Sequence, residues 1–273
     1  MGDENAITKD ALRSDDLASL LDNWYSIVSE YSMRHLTKGS DRIPAISGVA
    51  RILASKLKCK YLVGLWESDI AYALSWIPRS HISHPVTWEQ QPTVDPPSWS
   101  WANAHRGVWY SKYCCPAQAT SDTWSLGNSH VALVDAQLNA ASNSDTFGYA
   151  GSAALTLVGR VTEVQSVGRA SGHHNITVSS APQPRQYFWF CKDQGTKYDN
   201  DDQHYVALLL WYHKCFHRDC GMRHRFAALV LEPAIGIADT YRRIGIVDDR
   251  LMARSPNSQT EFLNGKLRRI TIV

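Results

Sequence analysis

Ala153-Ala154-Leu155-Thr156-Leu157-Val158-Gly159-Arg160-Val161-Thr162-Glu163-Val164 reads as a strand. Leu155, Leu157 and, less cleanly, Val161 alternate with smaller or polar residues. A period of two puts alternate side chains on opposite faces of an extended chain, so the stretch predicts a half-buried antiparallel strand. Runs of the same kind surround it. Gly107–Tyr110 and His130–Leu138 precede it; Ile176–Ser179, Tyr187–Cys191, Tyr205–Tyr212, Phe226–Leu231, Tyr241–Val247 and Leu267–Val273 follow. Many are β-branched or aromatic and are bounded by Gly, Pro, Asn or Asp. Many short strands with few helices predict an antiparallel β-barrel or β-sandwich over residues 107–273.

Upstream the period lengthens. Leu17, Leu20, Leu21, Trp24, Ile27, Val28 and Tyr31 recur at helical spacing, behind the acidic Asp15-Asp16. Pro44 opens a second helix with Ile46, Val49, Ala50, Leu53 and Leu57 on one face. A third helical stretch is expected from about Glu67 to Trp76, stopped by Pro78. The expected organisation is a disordered tail (1–14), a helical portion (15–77), a proline-rich connection with a tryptophan motif (78–106) and the β-rich region (107–273). The fold class is therefore α+β, with an N-terminal helical portion packed on a C-terminal antiparallel β-barrel or β-sandwich.

Composition narrows the function. The 273 residues include 44% hydrophobic ones, enough for a substantial core. Lys and Arg total 28 against 26 Asp and Glu, a formal charge of +2, which excludes an obvious polyanion binder. Ten Trp and twelve Tyr against six Phe favour rings with a polar handle, suited to satisfied cores and apolar pockets. The polar start MGDENAITKDALRSDD lacks a signal peptide, and no run approaches the ~18 apolar residues of a membrane helix. A cytoplasmic protein is expected, with six free thiols and an inert Asn175-Ile176-Thr177 sequon.

The sequence carries few motif-grade sites. His213, Cys215, His217, Cys220 and His224 supply zinc-type donors, but their spacing matches no standard finger, and Cys220-Gly221 reads as a hairpin turn. Arg218, Arg223 and Arg225 add positive charge beside them, so no metal is expected. His173-His174 reads as a solvated loop, and His81 and His84 lie in the proline-rich loop. Asp41 reads as a helix cap with Arg42 in a local ion pair. Gly64 is expected to permit close backbone approach. No dinucleotide fingerprint, P-loop, nucleophile elbow or HExxH motif occurs, so no cofactor is expected.

Several segments together resemble the C-terminal region of fungal heterokaryon-incompatibility (HET) proteins. They are Trp24-x-x-Ile27-Val28-x-x-Tyr31-Ser32-x-Arg34-x-Leu36-Thr37, Asp41-Arg42-Ile43-Pro44-Ala45-Ile46-Ser47-Gly48, Tyr61–Trp66, and Pro97-Ser98-Trp99-Ser100-Trp101-Ala102. Ala228–Pro233 and Tyr241–Val247 continue the likeness, which spans roughly residues 20–250. In that family this region follows an amino-terminal HET domain associated with triggering cell death. Here Met1 stands just ahead of the tail region, so the expectation is either a fragment or a naturally isolated tail module, the latter with a separate task.

Two functions are expected. The first is a cofactor-independent enzyme of fungal secondary metabolism that binds an apolar small molecule in an aromatic pocket. It would promote cyclisation or isomerisation, as a pericyclase does, by shape and hydrogen bonding. Trp66, Trp99, Trp101 and Trp109 are its expected walls; His105, Tyr241 and Arg242 are its expected polar catalytic groups. The alternative is a non-catalytic recognition or regulatory module of the self/non-self response, working through a protein partner. Neither reading involves nucleic acid or membrane. A closed apolar pocket with two or three convergent polar groups favours the first, and a filled core with a flat apolar patch the second.

Overall fold

The computed structural model describes residues 16–34, 36, 38–79, 96–104, 106–110, 129–139, 147, 152–170, 173–179, 187–193, 203–217, 221–248 and 259–273. Helix α1 is Leu17–Tyr31 and buries Leu20, Leu21, Trp24, Tyr25 and Val28. Asp16 caps it, accepting from the Ser19 amide at 2.9 Å. A 3-10 turn at Pro44–Ile46 leads into α2, Ser47–Leu57, which ends on Lys58 in the left-handed region. Strands β1 (Tyr61–Leu62) and β2 (Leu65–Trp66) form a hairpin joined by Val63-Gly64. Both linking residues have positive φ, 43° and 95°, as the tight two-residue hairpin turn requires.

The third helix is shorter than expected. A 3-10 turn at Glu67–Asp69 precedes α3, which covers only Ile70–Ala73. The chain then straightens into β3 (Ile77–Pro78) to pair with β4 (Val108–Trp109). The tryptophan motif folds as a turn. Trp101–Asn103 is a 3-10 turn capped by Ser100, whose hydroxyl accepts from the Ala102 amide at 3.1 Å.

The remaining strands are β5 (Val131–Asn139), β6 (Ser152–Ala170), β7 (His173–Val178), β8 (Phe188–Lys192), β9 (His204–His217), β10 (Gly221–Pro233), β11 (Thr240–Asp248) and β12 (Lys266–Ile272). A short helix α4, Gln259–Leu263, precedes the last. These eight strands form one ring-like sheet, not the barrel or two-layer sandwich expected. The reason is β6, which is 19 residues long and serves two neighbourhoods. Its first half lies between β5 and β12, and its second half between β7 and β9. Antiparallel pairs β9–β10, β10–β11, β11–β8 and β8–β7 complete the circuit. The β11–β12 pair is parallel. His173 and His174 lie in β7, not in a loop, because His174 pairs with Phe190.

Strand alternation sorts the apolar residues into two clusters. Tyr205, Ala207 and Leu209 of β9 join Phe226, Ala228 and Val230 of β10 in an inner cluster with Val164, Ile176, Phe188, Phe190 and Phe262. Val206, Leu208 and Leu210 join Ala227, Leu229 and Leu231 in an outer cluster shared with the helices. Both faces of these strands are buried, so they read as near-continuous apolar runs and not as half-buried strands. Among the described residues, no helix is long and apolar enough to cross a membrane.

Candidate functional site at the helix–sheet junction

The segments that carried the family likeness converge where the helices meet the sheet. The centre is the Val63-Gly64 turn. The indole N–H of Trp101 donates to the Gly64 carbonyl at 2.9 Å, and that of Trp24 donates to the same oxygen at 3.3 Å. The Ser100 hydroxyl donates to the Val63 carbonyl at 2.7 Å. A Cβ on residue 64 would overlap the Trp101 indole, so glycine is needed for both its φ and its bareness. A β-branched residue at positive φ, such as Val63, stores ~1–3 kcal/mol of strain that these three hydrogen bonds hold in place.

Two arginines are buried here, and both spend their protons on backbone carbonyls. Arg42 donates to Ala102, Ala104, Ser32 and Arg106 carbonyls and lies 5.3 Å from the Trp101 ring centre. Burial pulls its guanidinium down to about 10. The expectation of a local ion pair did not foresee these carbonyl partners of Arg42. Arg243 on β11 donates to the Leu74 carbonyl at 2.6 Å and the Trp76 carbonyl at 2.7 Å. These oxygens follow the end of α3, where unsatisfied carbonyls attract a cation. Its Nε donates to Asp193 Oδ2 at 2.7 Å, and its guanidinium carbon sits 3.3 Å from the Trp76 ring centre. Burial raises the Asp193 carboxyl even against the pull of that guanidinium. The Arg243 amide donates to the Ser98 hydroxyl at 3.0 Å, which joins β11 to the tryptophan motif.

A tyrosine cluster lies beside this network. The Tyr25 hydroxyl donates to Asp69 Oδ2 at 2.8 Å. The rings of Tyr72 and Tyr110 lie 4.8 Å and 4.4 Å from that of Tyr25, and the Tyr110 hydroxyl donates to the Ala73 carbonyl at 3.2 Å. Asp69 as a residue is half-buried, yet desolvation pushes its carboxyl up to about 7, against the opposing Tyr25 hydrogen bond. A carboxyl that titrates near neutrality can exchange a proton with a neighbour at working pH.

The expected site residues fall at this junction only in part. Trp66, Trp99 and Trp101 are each 0% exposed. The Trp66 ring packs 5.6 Å from Trp24 and 5.0 Å from Tyr61, and the Trp99 carbonyl accepts from the Trp76 indole at 3.0 Å. The indole nitrogens of Trp66 and Trp99 have no hydrogen-bond partner, so these two rings are present for their apolar bulk. Trp109 is half-buried on β4. Tyr241 is buried, and its hydroxyl accepts from Arg268 at 3.0 Å. Arg242 is exposed, whereas Arg243 turns inward with Tyr241. The signal for that was available: residues two apart on a strand share a face. His105, His81 and His84 lie outside the described residues. Asp193, Tyr25, Tyr72, Tyr110 and Asp69 were not singled out in the sequence, and no local spacing links them.

No protein-family model, curated protein or solved structure matches this chain. The junction must therefore be read from its own geometry.

The strand register places only some of the zinc-type donors. The β9–β10 pairing sets Cys215 opposite Arg223, His213 opposite Arg225 and His217 opposite Gly221. Positions 215 and 217 then share a face, while position 224, opposite Lys214, falls on the other. Cys220 lies outside the described residues. No cluster of metal-binding side chains occurs among the described residues.

Proposed function

We propose that this chain is a non-catalytic recognition or regulatory module that acts through a protein partner inside the cell. This is the role implied by its resemblance to heterokaryon-incompatibility proteins. One observation carries the reading. Trp66, Trp99 and Trp101, the expected pocket walls, expose no surface at all. A side chain bordering a space large enough for water or substrate keeps accessible area, and these do not. The polar groups around them are committed to the fold as well: Arg42 and Arg243 bind backbone carbonyls, and Ser100 and Trp101 hold one turn. Such a junction fixes the geometry of a scaffold and leaves recognition to its surface.

A second reading, the cofactor-independent cyclase or isomerase, draws support from Asp69. Its near-neutral carboxyl accepts from Tyr25, and Asp69 keeps partial access to solvent. Under this reading Asp69 and Tyr25 would move a proton on an apolar substrate held near Tyr72 and Tyr110.

Native mass spectrometry of the protein isolated from its own cells separates the two. The module reading expects a stoichiometric protein complex and no retained metabolite. A retained molecule of small-metabolite mass that is lost on Asp69→Asn or Tyr25→Phe would sink it in favour of the enzyme.

A further inference from the structure

We propose that the β10–β11 turn seats this protein on an anionic lipid surface, with Ile235 and Ile237 entering the bilayer interface and Arg242 and Arg269 meeting the headgroups. The proposal goes beyond the partner-binding reading above and does not depend on it.

Pro233, the last residue of β10, pairs with Tyr241 of β11, so residues 234–239 make the connection. Its tip reads Ala234-Ile235-Gly236-Ile237-Ala238, five residues without a polar side chain. Isoleucine is among the residues most often buried. Here Ile235 is 101% exposed and Ile237 62%. Gly236 has a φ of 82°, and a Cβ placed on it would meet nothing within 4 Å. The tip stands out into solvent.

The root of the turn is firmly held. The Ala234 amide donates to the Thr240 carbonyl at 2.8 Å, and the Thr240 hydroxyl donates to the Ala238 carbonyl at 3.1 Å. From β12, the Thr271 amide donates to the Asp239 carbonyl at 2.8 Å, and Arg268 pairs with the Asp239 carboxylate at 2.5 Å. A fixed turn that already presents its apolar side chains loses little further freedom on docking.

The charge at this root is cationic. Thr240 of β11 lies beside Thr271 of β12 in a parallel pair. Arg242 follows Thr240 by two residues and Arg269 precedes Thr271 by two, so alternation puts both on the face that the threonines share. Both arginines are exposed. The carboxylates nearby are Asp239, paired to Arg268, and Glu232, half-buried opposite Arg242. Neither Arg242 nor Arg269 makes an ion pair among the described residues.

An apolar tip with unpaired cations at its root suits an anionic bilayer. Apolar insertion gives reversible contact by itself, and arginines close to the surface add attraction to the headgroups. A bilayer yields to a convex tip. A protein pocket that took the two isoleucines alone would bury far less than the roughly 800 Å² per partner of a stable complex, and a second copy of this chain meets the same shortfall.

The test is flotation of the full chain with vesicles of phosphatidylcholine alone and of phosphatidylcholine with about 30% phosphatidylserine. Binding should be at least about fivefold stronger on the mixed vesicles and should fall as salt rises. Ile235→Ser/Ile237→Ser should lose about tenfold, and Arg242→Gln/Arg269→Gln about fivefold. Ile52→Ser, at an exposed isoleucine of α2, should change binding less than about twofold. Thermal unfolding of each variant like that of the parent establishes that it is folded. The proposal is overturned if the parent stays off the mixed vesicles, or if either double variant binds them like the parent. Were the vesicles to fail while native mass spectrometry still found a protein complex, the lipid contact would be wrong and the module reading would stand. Loss of that complex in Ile235→Ser/Ile237→Ser would then assign the tip to a protein partner instead.

Discussion

The two clusters that flank the strands are built from different chemistry. The inner one packs Phe188, Phe190, Phe226 and Phe262 with aliphatic residues, Tyr205 and the partly buried Tyr212. The outer one holds Trp24, Trp66, Trp76, Trp99, Trp101 and Trp211, and it encloses Arg42 and the Arg243–Asp193 pair. Rings of phenylalanine need only volume, and strands that hydrogen-bond to one another leave no polar atom to satisfy there. The outer face instead meets short helices, a tight turn and 3-10 segments. Their carbonyls need donors, and indole N–H groups and guanidinium groups supply them. Among the described residues, the Trp and Tyr side chains are thus concentrated in the outer cluster, and the Phe side chains in the inner one.

That contrast can be broken most severely at Arg243. Arg243→Met leaves Asp193 buried without its partner and frees the Leu74 and Trp76 carbonyls. Denaturant unfolding should show a loss of ~3–5 kcal/mol, and adding Asp193→Leu should recover a large part of it. A double variant no more stable than the single would mean that the ion pair itself is not what matters.

Asp69 gives an intermediate effect with a defined pH sign. Its folded value of about 7 lies above the ordinary carboxyl value of 3.8. Between those values the folded state holds a proton that the unfolded state has released. Stability contributed by this group is full below pH 4, declines as pH rises, and is gone above pH 7. Asp69→Asn should match the parent at pH 3 and exceed it at pH 8 by on the order of 1–2 kcal/mol, after allowing for a weaker acceptor for Tyr25. Parallel stability curves from pH 3 to pH 8 would contradict the burial of that carboxyl.

The mildest change sharpens the comparison from the inner side. Phe226→Leu keeps most of the volume and removes no hydrogen bond, so a loss of about 1 kcal/mol with no pH dependence is expected. A loss as large as that at Arg243 would show that the inner cluster is as exactingly fitted as the outer.

The strands of the β-rich region were legible because a period of two survives in single sequence, and the expected runs from His130–Leu138 to Leu267–Val273 all fall on strands. The ring-like closure was not, since nothing local reports that β6 changes neighbours midway. Gly64 was legible as a close approach, but the contacts of the Val63-Gly64 turn with Trp24, Ser100 and Trp101 cross 37 or more positions of chain. Arg42 and Arg243 were missed for a related reason: an arginine is exposed by default, and only a tertiary supply of carbonyls reverses that. Trp99 and Trp101 were expected as pocket walls and are fully buried; the serines of the motif, which hold a turn and receive the β11 amide, were overlooked.

β6 has one further consequence. A strand that borders β5 and β12 at one end and β7 and β9 at the other couples four partners through a single rigid ribbon. Fraying at either end strips hydrogen bonds from two neighbours at once. Amides near its midpoint, around Arg160 and Val161, should then be the last to exchange with solvent, opening only when the whole chain unravels.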